Sequence, residues 1–146
     1  MKFAQDLATA HLLGELLAGK IPVDSRKRPA IVLPVPLHRK RLAERGYNQS
    51  LEIARSLPEK GYRLDPGCCQ RHKATYAQSD LPASGRKGNV RNAFSVSGPL
   101  QGRRMLLIDD VMTTGATLNE LARTLKNAGV ERVEAWVIAR TGHKKR

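Results

Sequence analysis

Leu106-Leu107-Ile108-Asp109-Asp110-Val111-Met112-Thr113-Thr114-Gly115-Ala116-Thr117 sets the architecture of this chain. Met105 to Ile108 is an apolar run of strand length, suited to a buried central strand. Two carboxylates appear where that strand is expected to end. The small residues Thr113, Thr114, Gly115 and Ala116 then turn directly into a helix. Its apolar face is Leu118, Leu121, Ala122 and Leu125, and Gly129 closes it. Val133 to Ala139 alternates as a further strand. Strand, helix and strand in this order predict parallel pairing.

Upstream, Ala30 to Val35 is a second buried strand, bounded by prolines. Before it, Leu7, His11, Leu12, Leu13, Leu16 and Leu17 recur at helical spacing, with Gly19 as the stop and Pro22 beyond. Pro36 to Gly46 reads as a basic loop. A second helix is expected from Asn48 to Leu57, with Leu51, Ile53, Ala54 and Leu57 for burial. Tyr62 to Gln70 reads as a strand interrupted by the turn Asp65-Pro66-Gly67. From Arg71 to Asn92 apolar periodicity is lost, as in a functional lid or a disordered excursion. No internal repeat is present. The expected fold is α/β, one domain over 1–146, with an open, mainly parallel sheet and helices on both faces.

Composition narrows the function. Hydrophobic residues at 40% and charged residues at 27% are ordinary for a globular protein. The 26 Lys and Arg against 13 Asp and Glu leave a formal net charge of +13, which favours anionic partners: nucleic acid, phosphorylated metabolites or an acidic protein surface. Aromatic residues are only 4%, so a stacking platform for single strands is poorly supplied. No apolar run reaches the length of a membrane span and no signal peptide order begins the chain, so a cytoplasmic location is expected. Cys68 and Cys69 are adjacent, a spacing that strains a disulfide, and no CxxC pair offers a zinc site; two reduced thiols are expected.

The carboxyl ends of strands are where ligands bind open α/β sheets. The helix start after Gly115 offers unpaired N–H groups to a phosphate dianion, and the threonine hydroxyls add donors. Asp109 and Asp110 are acceptors for vicinal hydroxyls and favour a hard divalent cation nearby. Together these groups suit a ribose 5-phosphate. Neither GxxxxGK[ST] nor GxGxxG occurs. At the end of the other buried strand, Pro36, Leu37, His38, Arg39 and Lys40, with Arg41 following, form a proline-framed cationic turn suited to a diphosphate.

The central stretch resembles the motif with which type I phosphoribosyltransferases bind 5-phosphoribosyl-1-pyrophosphate (PRPP). The resemblance implies a binding set of Asp109, Asp110, Val111, Thr113, Thr114, Gly115, Ala116 and Thr117. The acids would hold the ribose hydroxyls and, with PRPP, a Mg²⁺ ion; the loop would hold the 5-phosphate. It also implies catalytic roles for Asp109, Asp110 and Arg39. Arg71 to Asn92 resembles the flexible lid of such enzymes, with Lys73, Gln78, Arg86 and Asn89 as donors.

Pro34-Val35-Pro36-Leu37-His38, Arg45-Gly46-Tyr47-Asn48-Gln49, Arg86, Asn89-Val90 and Ala93-Phe94 are similar to the competence protein F family. Relatives there usually begin with a cysteine-rich zinc module, and this chain starts at the helix that follows it. The resemblance implies phosphoribosyl transfer to an unspecified nucleophile with release of pyrophosphate. It also implies a link to DNA uptake or utilisation, alongside a competence helicase. The alternative expectation is a non-catalytic, PRPP-responsive accessory protein that handles nucleic acid, with weak nucleic-acid binding. The acceptor and the oligomeric state stay open.

Overall fold

A computed structural model describes residues 2–21, 31–74 and 90–141. In chain order the elements are α1 (Lys2–Lys20), β1 (Ile31–Pro34), α2 (Arg39–Arg45), α3 (Gln49–Ala54), β2 (Arg63–Leu64) and β3 (Cys69–Arg71). They continue with β4 (Phe94–Val96), β5 (Arg104–Met112), α4 (Ala116–Asn127) and β6 (Arg132–Arg140). A fully parallel sheet has the order β2-β1-β5-β6, while β3 and β4 pair antiparallel in a second, two-stranded sheet. The expected α/β architecture is the observed one.

Period-two alternation divides the core between the faces of the large sheet. Leu33, Met105 and Leu107 pack with Leu118, Leu121 and Leu125 of α4. Val32, Leu106 and Ile108 pack with Ala10 and Leu17 of α1 and with Ile53 of α3. Helices therefore cover both faces. Each of these fully buried leucines contributes about 1.5–3 kcal/mol by leaving water. On the second of these faces, α1 meets α3 at Gly14: a Cβ there would collide with the Ile53 carbonyl oxygen.

Cys68 and Cys69 are buried and free, as expected. Burial foremost pushes the Cys68 thiol up to about 11 and the Cys69 thiol up to about 12, which keeps both protonated at neutral pH. Among the described residues no helix is long and apolar enough to cross a membrane.

Several elements differ from expectation. The basic loop is in part a helix, α2, none of whose residues is buried. Periodicity could not find it, because periodicity reports a buried face. Capping holds it instead: His38 Nδ1 accepts from the Lys40 N–H at 3.1 Å, and Gly46, at φ 88°, donates to the Leu42 carbonyl at 2.7 Å. Helix α3 ends at Ala54, short of Leu57, and a separate short turn, Pro58–Lys60, begins at the proline, which has no N–H to extend a helical ladder. The irregular stretch is trimmed at both ends, with Arg71 closing β3 and Val90 buried. The strand β4 carries too short an apolar pattern to be read from sequence. The strand β5 does not stop before its acids: it runs through Asp109 and Asp110 to Met112, paired with β6 at Asp109, Val111 and Met112.

Candidate functional site

The length difference between β1 and β5 creates the site. The last β1 residue, Pro34, lies opposite Ile108, and the Val35 N–H donates to the Ile108 carbonyl at 2.9 Å. Beyond that point β5 has β6 on one side and, among the described residues, no strand on the other. The chain leaves β1 towards β2 and leaves β5 towards β6, so the β1/β5 boundary is the sheet's switch point. A cavity of about 690 Å³ opens there, within the range of small-molecule sites.

Asp109 and Asp110 form its floor. Asp109 Oδ1 accepts from the Asp110 N–H at 2.9 Å and from the Ser50 hydroxyl at 3.1 Å. Asp110 Oδ1 accepts from the Val111 N–H at 2.8 Å. Burial pushes the Asp109 carboxyl up to about 7, and the neighbouring Asp110 charge and a side-chain hydrogen bond with Asp110 add to the rise. A ligand that brings hydroxyl donors would favour the ionised form.

The first turn of α3 braces this floor. Asn48 caps the helix by accepting from the Ser50 N–H at 3.0 Å, and its amide donates to the Val35 carbonyl at 3.0 Å. One capping residue thereby ties the end of β1 to the helix that presents Ser50. The sequence reading saw this stretch only as a helix start within a resemblance. The Asn-x-Ser cap signal was legible, but the reach to Asp109 was not.

The loop Thr113 to Thr117 forms the next wall. Gly115 takes φ 81°, a left-handed conformation that a side chain would strain, and caps α4 without a side-chain acceptor. Thr114 Oγ1 accepts from the Ala116 N–H at 3.3 Å. No acid sits in the first turn of α4, so the helix start remains electropositive.

Cations close the third side. Lys40, Arg41 and Arg45 come from α2 and Arg71 from β3. The lining includes Leu37 and His38 of the expected diphosphate turn, but not Pro36 or Arg39. Arg39 is exposed. Consecutive helical residues diverge by about 100° around the axis, so three neighbouring cations on α2 cannot share one direction. Arg71 was missed by sequence reasoning, which stopped its strand at Gln70. Its guanidinium lies 5.6 Å from the centre of the Phe94 ring. Burial lowers its pKa and the Asp109 charge raises it. Lys73 is exposed and donates to the Arg91 carbonyl at 3.4 Å, joining the two described ends of the expected lid. Gln78, Arg86 and Asn89 lie outside the described residues.

Residues 43–146 match the family described as phosphoribosyl transferase domain. DNA utilization protein YhgH of Escherichia coli is 36% identical over 147 residues, covering 97% of this chain and 64% of that protein. Competence protein F of Haemophilus influenzae is 40% identical over 121 residues, covering 78% of this chain and 52% of that protein. The chain thus spans between about half and two thirds of these relatives. Two solved structures share the fold. The purine phosphoribosyltransferase of Pyrococcus horikoshii has a TM-score of 0.54 at 19% identity, over 88% of this chain and 70% of that one. Glutamine PRPP amidotransferase of B. subtilis has a TM-score of 0.59 at 21% identity, over 90% of this chain and 26% of that one. Family match, fold and relatives agree: the chain belongs to the phosphoribosyl transferase domain family, in its competence protein F branch.

Proposed function

We propose that the cavity binds Mg²⁺–PRPP and that the chain transfers its phosphoribosyl group to a nucleophile. The carrying observation is that one cavity joins the Asp109–Asp110 pair, the Thr113–Thr117 loop and the cations Lys40, Arg41, Arg45 and Arg71. A 5-phosphate would sit on the loop, the ribose hydroxyls on the acids, and the diphosphate among the cations. In transfer, the nucleophile bonds to C1 with inversion while the C1–O bond breaks and its electron pair leaves with pyrophosphate. The residues act by position and charge: the acids orient the sugar and the cations stabilise the leaving group. The expected role of Arg39 passes to Lys40, Arg41 and Arg71, which line the cavity.

Among the described residues no three His, Cys, Asp or Glu side chains gather into a metal cage. Asp109 and Asp110 suit instead a Mg²⁺ ion shared with the ligand, since Mg²⁺ is commonly held by one or two carboxylates plus substrate oxygens. When bound, the ion would neutralise diphosphate charge. Calorimetric titration of PRPP with and without Mg²⁺ tests the binding, followed by a pyrophosphate-release assay. The double variant Asp109→Asn, Asp110→Asn is expected to weaken PRPP strongly while the loop still takes inorganic phosphate. Unchanged PRPP affinity in that variant would remove the proposal.

The second reading is a PRPP-responsive accessory protein in DNA handling, favoured by the +13 charge and by the names of the relatives. Fluorescence anisotropy with a labelled single strand over a salt series separates the two. Weak, salt-sensitive binding that PRPP reduces is expected of the substrate reading. Tight binding that survives physiological salt and ignores PRPP would put nucleic acid first.

A further inference from the structure

The large sheet ends differently on its two sides. On one, β2 is two residues long, begins with the exposed Arg63 and runs into Asp65-Pro66. So short an edge, charged and followed by a proline, offers little to a further strand. On the other, β6 is nine residues long and pairs with β5 along most of its length. Among the described residues no strand pairs with its outer side.

The composition of β6 is that of an inner strand. Val133, Ala135, Trp136, Val137, Ile138 and Ala139 are apolar, yet none of its nine residues is buried. In its neighbour β5, by contrast, Met105 to Ile108 are fully buried in succession. Trp136 and Ile138 are half-buried over one face of the sheet, Val133 and Val137 over the other. The strand has neither Pro nor Lys, two residues with which natural proteins blunt an edge. Covering this rim buries backbone N–H and C=O groups along with apolar side chains, so the cover that satisfies both is another strand.

Charge selects which strand. At +13 two copies of this chain repel one another, so self-association needs opposite charges built into the contact. The strand β6 carries them three residues to either side of Val137, as Glu134 and Arg140. Antiparallel pairing about Val137 sets Glu134 opposite the partner's Arg140 and Arg140 opposite the partner's Glu134. The same register sets Trp136 opposite the partner's Ile138, an aromatic and β-branched pair of the kind that stabilises sheets. Within one copy, Arg132 already holds Glu134 Oε1 at 2.8 Å. A carboxylate accepts at both oxygens, so the two arginines are compatible.

We propose that β6 is the interface of a homodimer, in which two copies join edge to edge through an antiparallel β6 pair centred on Val137. Each copy adds its β2-β1-β5-β6 sheet to one continuous sheet. The two-fold contact uses the long edge of both copies, so it closes at two and does not propagate. The two large cavities, at the carboxyl ends of the strands, then open on opposite rims of the joined sheet.

Sedimentation velocity of the full chain at 0.15 M salt, up to about 100 μM, tests this. A monomer–dimer equilibrium is expected. Glu134→Arg and Arg140→Glu should each weaken the dimer at least tenfold, because each sets like charges opposite one another. An equimolar mixture of the two variants should restore dimerisation, since each then meets the opposite charge. Val137→Cys should form an interchain disulfide under mild oxidation, because opposed residues of an antiparallel pair stand within disulfide reach. Ala135→Cys, which is out of register with its own copy, should not, and the native thiols are buried. Circular-dichroism melts report whether each variant is folded, and the cysteine pair keeps the test decisive if a charge reversal prevents folding. A wild type that stays monomeric, folded variants whose mixture fails to recover, or equal cross-linking of the two cysteine variants would overturn the proposal. So would a dimer indifferent to the charge reversals but lost in Leu16→Ser, at an exposed position on α1, which would move the contact to the helix.

Discussion

Ser50 and Asp109, 59 residues apart in the chain, are joined by a hydrogen bond of 3.1 Å from the serine hydroxyl to the carboxylate. Ser50 is only 4% exposed, so its hydroxyl is committed to this contact and unavailable to bulk solvent. The bond favours the ionised form of Asp109, opposing burial and the Asp110 charge. The helix cap at Asn48 fixes the backbone that presents Ser50. The first turn of α3 therefore positions this carboxylate and favours its ionised form.

Ser50→Ala is expected to remove a hydrogen bond to a charged group, worth about 1.5–3 kcal/mol. PRPP affinity should fall, and its midpoint in pH should move upward because Asp109 ionises less readily. Ser50→Thr should restore most of both effects. Calorimetry from pH 5.5 to 8.5 reads the midpoint. A weakened affinity with an unmoved midpoint would mean that Ser50 merely fills space.

The elevated Asp109 carboxyl also has a consequence for the ligand-free fold. Its pKa rises from the ordinary 3.8 to about 7, so between those values the folded chain holds a proton that the unfolded chain has lost. Stability then declines as pH rises through that window. Asp109→Asn removes the dependence. Relative to the wild type, the variant should gain on the order of 2–4 kcal/mol between pH 4 and pH 8. Urea melts at several pH values measure the difference. A constant offset would place the Asp109 pKa near its ordinary value.

The two central strands were legible because they are buried on both faces and bounded by turn residues, as at Ala30–Val35 and Met105–Ile108. The loop Thr113 to Thr117 was legible as a candidate phosphate site because glycine and small hydroxyl residues stand between a strand and a helix. Helix α2 was not, since every one of its residues meets solvent and its ends are held by His38 and Gly46. Arg71 was hidden for a related reason. A strand of three residues with one buried position carries too little alternation to show which way its last side chain faces.

Gly14 lets α1 approach α3 where a methyl group would strike the Ile53 carbonyl oxygen. Gly14→Ala should cost about 1–3 kcal/mol by overpacking. Nothing lies within 4 Å of a Cβ built on Gly19, near the end of the same helix. Gly19→Ala should therefore be neutral or stabilising by up to about 1 kcal/mol through helix propensity alone. Thermal melts of the two variants give opposite signs if close packing, rather than propensity, governs this helix.

Arg71 and Arg39 separate a cavity cation from a surface cation. Arg71 lies against Phe94, feels the charge of Asp109 and lines the same cavity as the loop Thr113 to Thr117. Arg39 is exposed on the first turn of α2 and is not part of that wall. Arg71→Met keeps a long, flexible side chain beside Phe94 while deleting the charge, which limits any loss of stability. Removing a charge-assisted contact of about 1.5–3 kcal/mol should weaken PRPP about 10- to 100-fold. The loss should be smaller for ribose 5-phosphate, which lacks the diphosphate. Arg71→Lys should recover only part of it, because an ammonium cannot make the two parallel contacts of a guanidinium. Arg39→Ala should change PRPP affinity less than threefold at 0.15 M salt, where an exposed charge is screened over about 8 Å. Parallel titrations of PRPP and ribose 5-phosphate decide the matter. Equal losses for both ligands in Arg71→Met would move Arg71 from the diphosphate to the sugar, and a larger loss in Arg39→Ala would return the diphosphate grip to the first turn of α2.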